Sequence, residues 1–208
     1  AGLTETAAGQ RLTLSQDGGS LQTGAVLSDD VGYYGCDLTP DMNRIEADVT
    51  VDECGSSSAN GVFFGAFNSN ALAMLGLRNT TNIRGIHLNG DAEVSATGPN
   101  ETIEEGQTVH FSAEKTADGL SITASLEDGT AYTDEYGEND IIFDGGVEDT
   151  ELSFGFLLAD AIVTVTNMKY YNADGDLLYD QNDCYAPIGM APVVNSVQAD
   201  VADTRDAI

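Results

Sequence analysis

The chain has 208 residues, enough to bury a core of its own, and sets 35 acidic residues against 7 basic ones for a net charge of −28. A surface of that sign repels nucleic-acid phosphate and anionic lipid headgroups, so both are poor partners. No apolar run approaches the about 20 residues a membrane helix needs.

Almost every segment alternates with a period of two and is bounded by Gly, Asn, Asp or Ser, so strands are expected at 11–15, 32–37, 44–51, 61–67, 71–77 and 83–88. They continue at 108–114, 120–126, 141–143, 151–157, 162–171 and 177–179. In 44–51, Ile45, Ala47, Val49 and Val51 alternate with Arg44, Glu46, Asp48 and Thr50, which gives one packed face and one wet face. Around Ala117-Asp118-Gly119 the Asp-Gly pair favours a tight hairpin. No stretch keeps a 3.6-residue period. About a dozen short strands with turns every 8–12 residues or so argue for a two-sheet antiparallel sandwich.

The expected domain runs from 1 to 184. After it, 185–208 reads as a Pro- and Gly-punctuated linker, then Val194, Val197, Ala199 and Val201 as the first strand of a following immunoglobulin- or fibronectin-like module. The other reading is a tail packed back on the sandwich. With no initiator Met, Ala1 reads as a cut or processed end.

Three cysteines fit one disulfide plus a thiol, or three buried thiols. If 32–36 and 44–51 form a hairpin, Cys36 and Cys54 end roughly 25–30 Å apart, too far to bridge. If 162–171 runs antiparallel beside 44–51, the returning strand 177–179 carries Cys184 toward Cys54. The expected disulfide is therefore Cys54–Cys184, with Cys36 reduced.

The run VTVTNMKYYNADGDLLYD at 163–180 resembles the closing hairpin of concanavalin A-like jelly rolls, the superfamily of lectins, LamG domains and glucanases. GQRLTLSQ, VGYYGCDL, RIEADVTVDE and GVFFGAFNS extend the likeness over about 9–179. The run is also similar to accessory modules of secreted bacterial pectinases and related polysaccharide lyases. This resemblance implies a jelly-roll sandwich and a role in glycan degradation.

Glucanases of this fold carry Glu-x-Asp-x-x-Glu on one strand, with acid and nucleophile about 5–5.5 Å apart. Here Glu46-Ala47-Asp48 is followed by Val51 where the second glutamate belongs. Alginate-lyase relatives use Gln-Ile-His and a Tyr strand, against which this chain sets Arg84-Gly85-Ile86-His87 and Lys169-Tyr170-Tyr171-Asn172. His87 and His110 are expected to be satisfied or solvated rather than catalytic, and the fragment is expected not to be an enzyme.

Sugar recognition needs aromatic faces for the ring and planar polar groups for its hydroxyls. With no Trp, the acidic segment 127–140 is the first candidate, read as a loop that presents Tyr132, Asp134, Tyr136 and Asn139. Arg78 and Arg84 are the second, as paired guanidinium groups suited to a uronate; salt bridges to neighbouring acids would equally account for them.

A structural Ca2+ is the one cofactor suggested, at Asp144 and Glu148 within the acidic run 140–149. Asn172-Ala-Asp174-Gly-Asp176 echoes a Ca2+ loop but is better explained as a hairpin turn.

The expectation is an all-β, antiparallel two-sheet sandwich of the concanavalin A-like jelly-roll kind. It would serve as a non-catalytic carbohydrate-binding module of a secreted, multidomain bacterial polysaccharide-degrading enzyme, extracellular or at the cell surface. Its partners would be a polysaccharide, pectin or another plant glycan, and neighbouring domains of the same chain. The alternative is a structural spacer or adhesin module with no glycan ligand.

Overall fold

A computed structural model describes residues 3–8, 11–20, 22–23, 26–27, 32–37, 43–57, 60–68, 71–78, 82–89, 93–97, 106–143, 146–180 and 193–196. Its strands are β1 Leu3–Ala8, β2 Arg11–Gln16, β3 Gln22–Thr23, β4 Val26–Leu27, β5 Gly32–Asp37, β6 Arg44–Cys54, β7 Gly61–Phe67, β8 Leu72–Arg78 and β9 Asn82–Asn89. They are followed by β10 Glu93–Thr97, β11 Thr108–Thr116, β12 Gly119–Ser125, β13 Ala131–Gly137, β14 Ser153–Ala159, β15 Ala161–Tyr171, β16 Leu177–Asp180 and β17 Val193–Ser196.

Two antiparallel sheets stack into a β-sandwich. An eight-stranded sheet runs β1-β2-β15-β6-β11-β12-β13, with β16 pairing β15 beyond the end of β2. A seven-stranded sheet runs β10-β9-β8-β7-β14-β5-β17. The core lies between them, where Phe111 from the first sheet meets Phe64 of the second at 5.3 Å between ring centroids, and Phe64 meets Phe156 at 5.2 Å.

Alternation explains why the two sheets differ outside the core. On β6, Ile45, Ala47, Val49 and Val51 are buried while the residues between them are partly exposed, so the eight-stranded sheet has a polar outer face. The GVFFGAF strand is buried on both sides: Phe64 joins the core cluster, whereas Phe63, next in the strand, is buried outside it. Leu72, Met74 and Leu157 are likewise buried apart from the main cluster. A side chain at Gly76, the in-register partner of Phe63, would collide with that ring. The wet surface suited to a polar ligand therefore lies on the eight-stranded sheet.

Several expectations are corrected. Residues 32–37 and 44–51 do not form a hairpin: β5 pairs with β14 and β17 in the seven-stranded sheet, while β6 is central to the other. Ile141–Phe143 is a 3-10 turn and not a strand. Its Ile142 and Phe143 are buried at one end of the core, with the Phe143 N–H donating to Asp140 O at 2.9 Å and Asn68 Nδ2 donating to Ile142 O at 3.0 Å. Val193–Ser196, expected to open a further module, is an edge strand on β5. Residues 197–208 lie outside the described residues.

Gly119 serves a different purpose from the one expected. The two-residue turn is Ala117-Asp118, and neither has positive φ. Gly119, at φ 153, is the first residue of β12, where a Cβ would run into the Tyr136 carbonyl of β13.

Candidate functional site

The outer face of the eight-stranded sheet gathers its polar side chains around Asp48. Register places His110 of β11 and Thr166 of β15 on either side of it. His110 Nδ1 lies 2.7 Å from Asp48 Oδ1, and Asn167 Nδ2 donates to Asp48 Oδ2 at 2.7 Å. The same face carries Thr50 and Thr108 with their hydroxyls 2.8 Å apart, Thr123 and Thr133 at 2.9 Å, and Thr164 donating to Asp52 Oδ2 at 2.6 Å. At the far end of β6, Arg44 stacks over Tyr171 with its guanidinium carbon 4.3 Å from the ring centroid. Arg44 Nε is 3.1 Å from Glu46 Oε1, yet the N–H makes no hydrogen bond, so charge proximity is what holds this pair.

Asn167 reaches Asp48 because β15 is bulged. The β15–β6 register shifts between Thr166 and Lys169, and Asn167 sits at φ 53. Non-glycine residues rarely adopt that conformation, Asn among the most readily, and where they do the surrounding structure must fix it. Sequence reading missed this residue, although a signal was there. The inward residues are Val163, Val165, Met168 and Tyr170, and the step from 165 to 168 breaks the period of two.

A groove of about 460 Å³ opens where β2 and β6 end and β15 begins, lined by residues that include Gln16, Asp17, Glu53, Cys54 and Asp160. Asp160 is the single residue by which the chain passes from β14 in one sheet to β15 in the other, at φ 49. Buried Gln16 secures that corner, its Oε1 accepting from the Asp160 N–H at 2.5 Å and the Gly19 N–H at 3.2 Å. Asp160 Oδ1 accepts from the Gly18 N–H at 2.9 Å, and its carbonyl accepts from the Gly55 N–H at 2.8 Å. These groups bind one another, so this corner is primarily architectural.

The 127–140 segment is not a loop. Tyr132, Asp134 and Tyr136 lie on β13, in register with Ala124, Ile122 and Leu120 of the core, and so point to the inner side of an edge strand. Tyr136 is buried, and Tyr132 is half-buried against the core. A buried ring cannot stack on a sugar from solvent, which corrects the expected role of Tyr136. Asn139 is exposed in the following turn.

The Tyr136 hydroxyl donates to Asp134 Oδ2 at 2.9 Å; burial first, and the Asp134 charge second, push its ionisation well above the ordinary tyrosine value of about 10. The neutral phenol favours the fold, so its contribution is complete below about pH 10 and declines as pH rises past that value. Tyr136→Phe is expected to flatten the fall of urea-unfolding stability above pH 10; an unchanged slope would place the alkaline sensitivity elsewhere.

Arg78 and Arg84 stand two rungs apart in the β8–β9 hairpin, opposite Asn82 and Gly76, in the sheet that does not carry Asp48. Asp144 lies outside the described residues, and Glu148 is exposed in a turn. Among the described residues no group of three or more His, Cys, Asp or Glu is placed to hold a metal. The 172–176 segment is a hairpin turn, with Asn172 Oδ1 accepting from the backbone N–H groups of Asp174 and Asp176. β15 runs antiparallel to both β6 and β16, one premise of the expected Cys54–Cys184 pairing; the other, a hairpin of 32–36 with 44–51 that set Cys36 aside, fails because β5 and β6 lie in different sheets. Cys54 is half-buried opposite Ala161, and Cys184 lies outside the described residues.

No family model and no curated protein matches the chain. Solved structures do. A functionally unknown protein from Saccharomyces cerevisiae aligns with TM-score 0.52 and 8% identity, over 81% of this chain and 91% of that one. A scytalido-glutamic peptidase bound to a transition-state analogue inhibitor aligns with TM-score 0.50 and 15% identity, over 72% and 84%. The carbohydrate-binding module CBM66 of Bacillus subtilis aligns with TM-score 0.45 and 14% identity, over 82% and 91%. What the first two share with this chain is the β-sandwich; at such identities function does not transfer.

Proposed function

We propose that this chain is a non-catalytic glycan-binding module of concanavalin A-like type, part of a secreted protein that degrades polysaccharide. The carrying observation is the arrangement at Asp48. A carboxylate, an imidazole and a carboxamide from three adjacent strands are held together on an open polar face that also carries a row of hydroxyls. Each Asp48 oxygen takes one of these hydrogen bonds and keeps a second lone pair for a sugar hydroxyl. His110 is 44% exposed and turns its other ring edge away from Asp48. The net charge of −28 opposes a polyuronate and favours a neutral glycan.

The row Ser125, His110, Asp48 has the residue types of an acyl-transfer triad, since Ser125 and Asp48 are the register partners of His110. On a flat ladder, however, backbone N–H groups are used between strands, so no pair converges as an oxyanion hole. Val51, where a glucanase would need its second carboxylate, is 1% exposed within the core.

Affinity electrophoresis across homogalacturonan, rhamnogalacturonan, xylan, β-glucan and host glycans, run with Ca2+ and then with EDTA, tests this reading. Retardation by a neutral glycan is expected, weakened about tenfold, or about 1.4 kcal/mol, in Asp48→Asn. A second reading, a structural spacer, is favoured by one observation: among the described residues the exposed large apolar side chains are Leu177 and Leu178, with no aromatic. No retardation by any glycan, with the fold intact, would decide for the spacer.

A further inference from the structure

β13 ends the eight-stranded sheet, and among the described residues no strand pairs with its outer side. The adjoining turn fixes which of its backbone groups face outward. Gly129, at φ 88, donates to Leu126 O at 3.0 Å, and the Leu126 N–H donates to Thr130 O at 2.8 Å. Antiparallel pairs alternate between hydrogen-bonded and non-hydrogen-bonded, so Tyr132, Asp134 and Tyr136 exchange bonds with β12 through their register partners. The N–H and C=O groups of Ala131, Thr133 and Glu135 therefore point away from the sheet. Gly137 N–H, next in that series, is taken by Asp140 Oδ2 at 2.6 Å, which closes the edge at that end.

The charge around this edge has one sign. Residues 127–140 contain Glu127, Asp128, Asp134, Glu135, Glu138 and Asp140 and no Lys or Arg, and all but Asp134 are exposed. Acids on an edge strand discourage pairing between identical copies, because two β13 strands side by side would bring Asp134 and Glu135 against their own kind. The same charges favour a strand of opposite sign.

We propose that β13 accepts an extended segment of a different polypeptide, carrying Lys or Arg at alternate positions, as an added strand. Three outward residues supply the backbone hydrogen bonds, and the flanking carboxylates select the basic partner. The outward backbone groups of β13 lie at the edge of the same sheet, beyond β11 and β12 from Asp48, and their pairing does not depend on a ligand at Asp48.

The test must separate strand pairing from simple attraction to an acidic protein. A Lys-Thr-Lys-Val-Lys-Thr peptide and its alternately N-methylated twin carry the same charge, but the twin cannot donate from its methylated positions. By isothermal titration at low salt, the twin is expected to bind the intact chain at least about tenfold more weakly. Thr133→Pro, which removes an outward N–H without touching the β12 ladder, is expected to weaken the unmodified peptide similarly while the melting temperature stays within a few degrees. Equal binding of both peptides would show attraction alone and overturn the proposal. So would unchanged binding by a folded Thr133→Pro variant, or sedimentation showing a dimer of this chain that the substitution dissolves.

Discussion

Phe64→Ala is expected to destabilise the sandwich by about 3–5 kcal/mol, a large fraction of the about 5–15 kcal/mol that holds a typical domain folded. Phe64 is fully buried on β7 and packs against Phe111 of the opposite sheet and Phe156 of the neighbouring strand. Removing its ring opens a cavity where the two sheets touch. Rigid ladders on both sides cannot collapse into it, so both the transfer cost and the cavity cost apply. Urea denaturation followed by far-ultraviolet circular dichroism measures this directly. A loss below about 1 kcal/mol would mean the sheets are not packed face to face at this point.

Gln16→Leu should cost about 3 kcal/mol despite making the interior more apolar. Leu12 and Leu14 precede Gln16 on the inward face of β2, and a third leucine looks like an improvement by pattern alone. In the fold, however, Gln16 Oε1 accepts from the N–H groups of both Asp160 and Gly19. Replacement leaves both donors without that acceptor at the crossing between sheets, and each orphaned buried group costs about 1–3 kcal/mol. Urea denaturation of the substituted chain measures this, and a loss below about 1 kcal/mol would show that shape, and not the acceptor, matters at this position.

Most of the sandwich was legible in the chain because one-sided burial writes itself as alternation. β6 shows this in its alternation of Ile45, Ala47, Val49 and Val51 with polar residues, whereas β7, buried on both sides, was bounded correctly at Gly61 and Phe67 as a short apolar run. Strands that lack an apolar side were not legible. β13 alternates Tyr132, Asp134 and Tyr136 with Ala131, Thr133 and Glu135, so its acids masked a strand that fills an edge. Pairing was hidden too, since short-range pattern does not tell whether β5 and β6 share a sheet. The candidate site was half-readable. Asp48 was noticed as part of a motif that failed and His110 as a histidine expected to be satisfied or solvated, but their partnership depends on register between β6 and β11, which sequence spacing does not state. Asn167 was announced by the broken period in β15, a signal about backbone geometry before it is one about chemistry.

The placement of β15 also sets the order in which the molecule can be completed during synthesis. This strand lies between β2 and β6, and the corner that precedes it is bonded to Gln16, 144 residues earlier. At about 5–20 residues per second, a ribosome leaves β2 and β6 without their shared neighbour for on the order of ten seconds. Over that interval the nascent chain holds two unpaired strand edges, and such non-local pairings are slow to close even once every partner is present. Its dense negative charge is then more than a property of the finished surface. Mutual repulsion between unfinished chains keeps those edges apart until the last central strand arrives.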